Sequence, residues 1–232
     1  MRSALMLAAL FLIGCEASNV ASSTSDSKPN TSVSKDGNRS GSPTTELKPK
    51  VNNRPEVAAD AFDSVADAIS ALTLATDAQF DDERYQATEW LVMQKDVAVP
   101  PLSEAVSENS SSSRTQIVIA RILGRIGTPA AAGELVKMTT AENSMGAINA
   151  IQQLGAMKPA GAEAIDQLVS LLDHQEERRR LEAVNALGNI GQPAAAASKR
   201  LVAIQNSQDS DSLRQAARRA LEKVDPRKTL AD

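Results

Sequence analysis

One pattern recurs along the C-terminal two thirds of the chain and leaves few folds open to it. It opens with Leu-Gly-x-Ile or Leu-Gly-x-Met, has a proline five or six residues after the leucine, and continues through alanines to a closing leucine. The clear copies are LGRIGTPAAAGEL (123–135), LGAMKPAGAEAIDQL (154–168) and LGNIGQPAAAASKRL (187–201), with WLVMQKDVAVPPL (90–102) as a divergent fourth. The closing leucines are 33 residues apart each time, at Leu102, Leu135, Leu168 and Leu201. A repeat of this length indicates stacked supersecondary units that bury their apolar sides against one another.

Each copy predicts two helices joined by a short turn. In the first helix, apolar residues recur three apart, as at Leu181, Val184 and Leu187. A glycine such as Gly191 can adopt the left-handed conformation that ends a helix, and a proline such as Pro193 fits the first turn of the next one. The unit is therefore a helix pair.

Each clear copy also places a glycine inside its first helix, directly after the opening leucine, at Gly124, Gly155 and Gly188. Glycine in a helix interior is about 1 kcal/mol less favourable than alanine. Its recurrence predicts a close approach at this position, and we expect the second helix of the same unit to be the neighbour.

The composition favours helices and excludes several classes of site. Apolar residues make up 42% of the chain but aromatic residues only 2%, and the abundant alanines suit helices better than strands. The net charge of -4 and the pI near 5.2 argue against nucleic-acid binding. One cysteine and one histidine exclude a disulfide framework, a multi-cysteine zinc site and a histidine metal cluster. We expect no cofactor and no metal.

The first fifteen residues have the features of an export signal. Arg2 precedes the apolar run ALMLAALFLI (4–13), which is too short to span a bilayer as a helix, and Gly14 precedes Cys15. The sequence Leu-Ile-Gly-Cys that ends this segment resembles the bacterial lipobox. The alternatives are an ordinary signal peptide with a chance cysteine, or a buried N-terminal helix.

The lipobox resemblance implies a lipid anchor at Cys15. In that family the signal, here 1–14, is removed and the cysteine receives acyl chains, whose burial contributes roughly 0.8 kcal/mol per methylene. An aspartate after the cysteine marks retention at the inner membrane in Gram-negative lipoproteins. Because Glu16 stands there instead, the outer membrane is favoured over the inner one, and we expect a protein of the bacterial cell envelope.

The remaining chain divides by composition into four segments. Residues 15–55 are rich in Ser, Thr, Asn, Pro and Lys and predict a disordered tether. Residues 56–83 predict an N-terminal capping helix region, in which one helical stripe holds Phe62, Val65, Ile69 and Leu72. The repeats are expected over 84–225 and a short tail over 226–232.

The repeats resemble a known family. The sequence LGNIG, the proline after it, the alanine-rich second helix and LRQAARRAL (213–221) are similar to HEAT-like repeats of the phycobilisome-lyase type. The resemblance covers about residues 84–224 and implies a right-handed α-solenoid of about four to five helix pairs. Most members of this family are binding scaffolds, but one branch contains bilin lyases and another a hydroxylase that holds iron with His-Glu pairs.

The residues argue against both enzymatic branches. The only histidine, His174, is followed by Gln175 and lies at a predicted turn, where we expect it to be solvated. A bilin pocket is often lined by aromatic and basic side chains, whereas Tyr85 and Trp90 are the only large aromatic residues with a polar group. Trp90 occupies an opening position and is expected in the core rather than on the surface.

Charged clusters have both a simple interpretation and a functional one. Asp173 with Arg180, and Asp209 with Arg214, are expected to pin the start of a first helix. The run EERRRLE (176–182) is interpreted as a solvated helix face, with contact to an acidic partner or lipid headgroups as the alternative. The same two interpretations apply to the basic C-terminal end, which contains Lys199, Arg200, Arg214, Arg218, Arg219, Arg227 and Lys228.

These features predict a lipid-anchored, non-enzymatic protein–protein interaction scaffold whose partner is an unidentified envelope protein. The second helices are expected to supply the concave binding surface. Periodicity places the candidate binding residues at Glu104, Lys137, Asp166, Ser170 and Lys199. The alternative hypothesis is a lyase-like enzyme or an enzyme-assembly factor of the phycobilisome-lyase branch.

Overall fold

The fold is known for most of the chain beyond the predicted tether. The computed structural model describes residues 56–107, 112–158 and 160–227. Outside these residues lie the predicted signal peptide (1–14), Cys15, the predicted tether (15–55), Pro159, and residues 228–232 of the predicted tail.

Helices account for all the regular structure in the described part of the chain. The ten α-helices found there are α1 (Val65–Ala78), α2 (Asp81–Met93), α3 (Val99–Ser107), α4 (Ser113–Ile126), α5 (Pro129–Met138), α6 (Ser144–Ala156), α7 (Ile165–Ser170), α8 (Glu177–Ile190), α9 (Ser198–Gln205) and α10 (Asp211–Val224). Short 3₁₀ segments adjoin α3, α7 and α9, at Lys95–Ala98, Ala160–Ala164, Leu171–Asp173 and Gln192–Ala197.

The helices form a stack of pairs. We call α2, α4, α6, α8 and α10 the first helices, and α3, α5, α7 and α9 the second helices. Successive first helices from α4 to α10 pack side by side, each second helix follows its own first helix, and α1 packs against α2 at the start of the stack. The predicted all-α solenoid is therefore confirmed, with four helix pairs and a final single first helix.

Local sequence explains where most helices begin and end. The side chains of Ser112, Thr128 and Asn143 each accept a hydrogen bond from a backbone N–H in the first turn of the helix that follows. Gly127 ends α4 with a φ of 71°, in the left-handed conformation predicted for it, and Pro129 begins α5. These turns therefore follow the predicted pattern.

The turn after α8 differs from the prediction. Gly191 has a φ of 78°, but its ψ of -139° lies outside the left-handed conformation predicted for it. Pro193 lies in the first turn of a 3₁₀ segment that begins at Gln192, rather than in an α-helix. Within that segment Ala194 has non-helical dihedral angles, and the α-helical hydrogen bonding starts only at Ser198. The second helix of this unit is consequently short.

The opening and closing residues of each repeat lie in the core. The opening residues Trp90, Leu123, Leu154, Leu187 and Leu221 are all at most 5% exposed. The four closing leucines, spaced 33 residues apart, are fully buried. The predicted register of the repeat is therefore confirmed.

Trp90 closes the N-terminal end of the core. Its ring packs edge-on against Phe62 with ring centroids 5.5 Å apart, and its Nε1 donates to the Ala59 carbonyl at 2.8 Å. The predicted core position of Trp90 is confirmed. Phe62, however, lies before the helix that Ser64 caps, so the predicted helical stripe begins only at Val65.

The recurring glycines mark the closest approach in the stack. A Cβ on Gly155 would lie 2.7 Å from Ala186 Cα on α8, and one on Gly188 would lie 3.0 Å from Ala220 Cα on α10. A Cβ on Gly124 would meet the Gln153 side chain of α6. The expected close approach is present, but its neighbour is the first helix of the next unit. The expectation that the second helix of the same unit crosses there was wrong.

The two ends of the stack lack this glycine. In α2 the position after the opener is Leu91, which is buried, and in α10 it is Glu222, which is exposed. With a leucine in place of glycine, α2 does not pack as closely on α4 as the later first helices pack on one another, and α1 also contacts α4. The divergent first copy therefore changes the packing as well as the sequence.

Side-chain hydrogen bonds link the N-terminal ends of neighbouring first helices. In each case, a residue at the first position of one helix bonds to the residue that precedes the next first helix. Three such bonds join Ser113 with Asn143, Ser144 with Glu176, and Glu177 with Ser210. We call this series the N-terminal ladder. Asn143 serves twice, because its Oδ1 caps α6 while its Nδ2 donates to Ser113 at 2.9 Å.

The predicted pinning ion pairs connect different residues from those expected. Arg180 pairs with Asp209 at 3.2 Å, and Asp173 pairs with Arg200, so both of these ion pairs join consecutive units. Arg214 pairs with Asp211 in its own first turn. The expected pairs Asp173–Arg180 and Asp209–Arg214 were wrong. The stack brings Asp173 and Arg180 close to charges of the next unit, and Arg214 has a nearer partner in its own helix.

Arg179 corrects the interpretation of EERRRLE as a solvated face. Its residue exposure is only 5%, and its guanidinium donates to the carbonyls of Thr139 and Ala141 at 3.2 and 2.9 Å and to Glu176 at 2.9 Å. A buried charge needs such partners. Arg179 therefore joins the start of α8 to the loop before α6, while Arg178 beside it is exposed.

The close packing of first helices predicts opposite effects for two glycine substitutions. Gly155→Ala places a Cβ against the backbone of α8, and we expect the free energy of unfolding to fall by roughly 1–3 kcal/mol. Gly133→Ala in α5 is the matched control, because nothing lies within 4 Å of its added Cβ, and helix propensity should raise stability by roughly 0.5–1 kcal/mol. Urea unfolding measures both. Equal shifts in the two variants would contradict the packing described here.

Candidate functional site

The five predicted binding residues share one type of location. Glu104 lies on α3, Lys137 on α5, and Lys199 on α9, while Asp166 and Ser170 lie on α7. All five are exposed. The structure thus places them on the second helices, as predicted, at the surface of the repeat.

A cleft of about 180 Å³ opens between α3 and α5. The candidate Lys137 lines it, together with Ser103, Glu134 and Met138. The candidates Glu104, Asp166, Ser170 and Lys199 do not line it. Of the five predicted residues, the structure places Lys137 in this cleft.

Glu134 is the central polar group of this cleft. It accepts a hydrogen bond from Ser103 Oγ at 2.6 Å and from Lys137 Nζ at 2.7 Å. Partial burial alone would raise the pKa of the Glu134 carboxyl, but these two donors outweigh it and the pKa lies below its ordinary value. The carboxylate is therefore held charged, in a network that joins consecutive units and can offer polar contacts to a ligand.

The sequence analysis did not identify Glu134 and Ser103 as site residues, because the residues of this network lie in different parts of the chain. The Glu134–Lys137 pair has helical i, i+3 spacing and could have been found, whereas Ser103 is 31 residues away and only the fold brings it close. Of the other candidates, Ser170 donates to the Gln167 carbonyl of its own helix at 2.7 Å.

His174 has a structural position at a turn. Its Nδ1 accepts a hydrogen bond from the Glu176 N–H at 3.0 Å, and its carbonyl accepts one from Arg180 at 2.9 Å. The side chain is half-buried rather than fully solvated as expected. These contacts hold the loop that enters α8.

Two further observations bear on the chemistry of the described residues. Within residues 56–107, 112–158 and 160–227, no group of three or more His, Cys, Asp and Glu side chains is placed to hold a metal ion. In the same part of the chain, none of the helices combines the length and apolar character needed to cross a membrane.

Glutamates at the unit junctions have pKa values below their ordinary value. Glu89 accepts a bidentate pair of hydrogen bonds from Arg125, at 2.7 and 2.8 Å, which lowers the pKa of its carboxyl although partial burial acts in the opposite direction. The same contact raises the pKa of Arg125. The hydrogen bond from Ser144 lowers the pKa of Glu176, and Arg179 adds to this effect.

Comparison with known proteins agrees with this architecture. Residues 134–222 match the family description of HEAT repeats. No curated protein matches the chain significantly. A solved structure, "the complex of CpcE and CpcF of phycocyanin lyase from Nostoc sp. PCC7120", is similar with a TM-score of 0.50 and 20% sequence identity. The match covers 66% of this chain and 97% of that chain. At this identity the likeness is one of fold.

The lowered pKa of Glu89 predicts a specific loss of stability in acid. As the pH falls below the ordinary pKa of a glutamate, this carboxyl becomes protonated in the unfolded chain but stays charged in the folded chain. The stability that the Glu89–Arg125 pair contributes is therefore present at neutral pH and is lost as the pH falls through the folded pKa. We expect Glu89→Gln to lower the melting temperature at about pH 7 and to narrow the difference in melting temperature between about pH 7 and about pH 3.5.

The matched control is Glu222→Gln, which removes an exposed carboxylate that makes no hydrogen bond among the described residues. Thermal unfolding followed by circular dichroism gives both quantities. A pH dependence that changes equally in the two variants would contradict the role of the Glu89–Arg125 pair.

Proposed function

We propose that this protein is a lipid-anchored, non-enzymatic protein-interaction scaffold of the bacterial cell envelope. The observation that carries the proposal is the stack of four helix pairs, whose second helices present one exposed side chain after another along a continuous face. Such an extended surface suits recognition of a protein better than of a small molecule.

The site described above supports binding more than chemistry. In the cleft between α3 and α5, Glu134 is engaged by Ser103 and Lys137, so its carboxylate is charged and hydrogen-bonded. A general acid or base needs a pKa near the working pH, whereas here the pKa is shifted away from it. The network instead offers an ammonium group and a carboxylate at fixed positions for polar contacts.

The similar solved structure supports a role in assembly. Its title describes a complex of two proteins, CpcE and CpcF. We therefore propose a partner protein for this chain as well. The lyase-like alternative rests on the same likeness of fold, which does not extend to an activity. It predicts that the purified protein carries a bound chromophore, visible in its absorption spectrum.

Photo-crosslinking from intact bacterial cells tests the interaction. We expect a photoreactive residue in place of Lys137 to give one adduct of defined mass, because this side chain lines the cleft. The matched control carries the same residue in place of Arg218, an exposed cation on α10, and should give no such adduct. Absence of an adduct from all five candidate positions, or a bound chromophore, would overturn the scaffold proposal.

The anchoring proposal rests on the sequence around Cys15 and has its own test. We expect Cys15→Ser to abolish incorporation of labelled palmitate and to leave the chain unprocessed or released from the membrane fraction. Labelled palmitate and cell fractionation measure these outcomes. Incorporation of the label by the variant would contradict lipidation at Cys15.

A further inference from the structure

A second recessed site lies where the C-terminal end of α1 meets α4. It is a groove of about 310 Å³, near the lower end of the range for ligand sites. Its lining includes Arg84, Arg114, Arg121, Ile117 and Thr76. The groove lies where α2 packs less closely on α4 than the later first helices pack on one another.

The groove is strongly basic in an acidic protein. Its lining contains three arginines and no acidic side chain, although the whole chain carries a net charge of -4. Arg84 pairs with Asp81 outside the lining. Arg114 and Arg121 have neither a hydrogen-bond nor an ion-pair partner among the residues that the structure describes. Within the described part of the chain, these two guanidinium groups are therefore unpaired.

Nearby negative charge does not neutralise these arginines. The C-terminal end of α1 contributes roughly half a negative charge through its last carbonyl groups. Asp77, which follows Thr76 on α1, is not part of the lining and accepts a hydrogen bond from Ser112 Oγ at 2.7 Å. Because two unpaired cations outweigh the helix terminus, the groove favours an anion.

A buried hydroxyl in the groove wall also lacks a partner. Thr76 is 2% exposed, and its Oγ1 has no hydrogen-bond partner among the described residues. Leaving such a group unsatisfied costs about 1–3 kcal/mol. Because Oγ1 is closed to solvent, a ligand in the groove accepts a hydrogen bond from it only when the Thr76 side chain rotates toward the groove.

The spacing of the cations defines the ligand further. Arg114 and Arg121 are seven residues apart on α4, which puts them on one side of the helix and roughly 10 Å apart along its axis. In an extended polyproline-type segment, side chains three residues apart lie on one side and are separated by roughly 9 Å. Ile117 lies between the two arginines and supplies an apolar contact.

We infer that this groove binds an extended acidic segment of a protein, with two carboxylates three residues apart and an apolar side chain between them. One carboxylate binds Arg114 and the other Arg121, and the Thr76 side chain rotates toward the groove so that its hydroxyl donates to the nearer one. The inference rests on the proposed scaffold function, to which it adds the chemistry of the partner and a contact surface away from the second helices.

Fluorescence anisotropy with a defined peptide tests this site. The probe is fluorescein-labelled Gly-Ser-Glu-Leu-Pro-Glu-Gly-Ser, and the control peptide carries glutamine in place of both glutamates. Because hydrogen bonds to charged groups are worth more than neutral ones, we expect Arg114→Gln/Arg121→Gln to weaken probe binding roughly tenfold or more. The matched variant Arg218→Gln/Arg219→Gln removes the same charge from exposed positions on α10 and should weaken binding less than about twofold.

Three results would overturn the inference. The first is equal affinity of the wild-type protein for the two peptides, and the second is equal weakening of probe binding by the two double variants. The third is that the protein binds phosphatidylglycerol vesicles through Arg114 and Arg121 but does not bind the probe. The last result would make the groove a lipid-headgroup site. Circular dichroism verifies that both double variants are folded.

Thr76→Val separates ligand binding from stability. The substitution removes an unpartnered hydroxyl while keeping the shape of the side chain, so we expect an unchanged or higher melting temperature and weaker probe binding. Unchanged probe binding would overturn the role of the hydroxyl. The two proposals can fail separately. If Arg114→Gln/Arg121→Gln still forms the crosslinked adduct at Lys137 in cells but binds the probe as tightly as the wild-type protein, the groove inference fails and the scaffold proposal stands.

Discussion

The structure depends on the close approach of consecutive first helices. At Gly155 and Gly188 the backbone of one helix meets the backbone of the next, where an added Cβ would lie only 2.7 and 3.0 Å from the nearest Cα. This contact sets the spacing of the units, and the buried openers and closers fill the space behind it. The N-terminal ladder and the buried Arg179 then satisfy polar groups at the same junctions. Stability is therefore distributed over interfaces between neighbours, as in other repeat proteins.

Repetition made the fold predictable from the sequence, because the same pattern identifies the same structural position several times. Trp90 was placed in the core by its register with the opening leucines, and that was confirmed. Interactions between units were harder to predict. Arg180 was assigned to a charge seven residues away, but its partner Asp209 is 29 residues away. The stack brings residues about one repeat apart together, and sequence proximity gives no sign of this.

The candidate sites, too, could be predicted from the sequence only in part. Periodicity correctly placed Lys137 on an exposed second-helix face, but not the cleft it lines, because Ser103 and Glu134 come from different units. The groove beside α1 could not be predicted either. It lies where α2, which has Leu91 in place of the repeated glycine, packs less closely on α4 than the later first helices pack on one another. Both recesses are formed by residues of more than one helix, so neither could be found from the pattern of a single unit.

Glu222 has a consequence for assembly. It occupies the position at which α4, α6 and α8 have the glycine that admits a following helix, and its side chain is exposed at the end of the stack. A further helix that packed on α10 as α10 packs on α8 would bury the Glu222 carboxylate, and burying an unpaired charge is costly. The exposed face of α10 therefore differs from those of α4, α6 and α8, whose glycines admit the next helix without this cost.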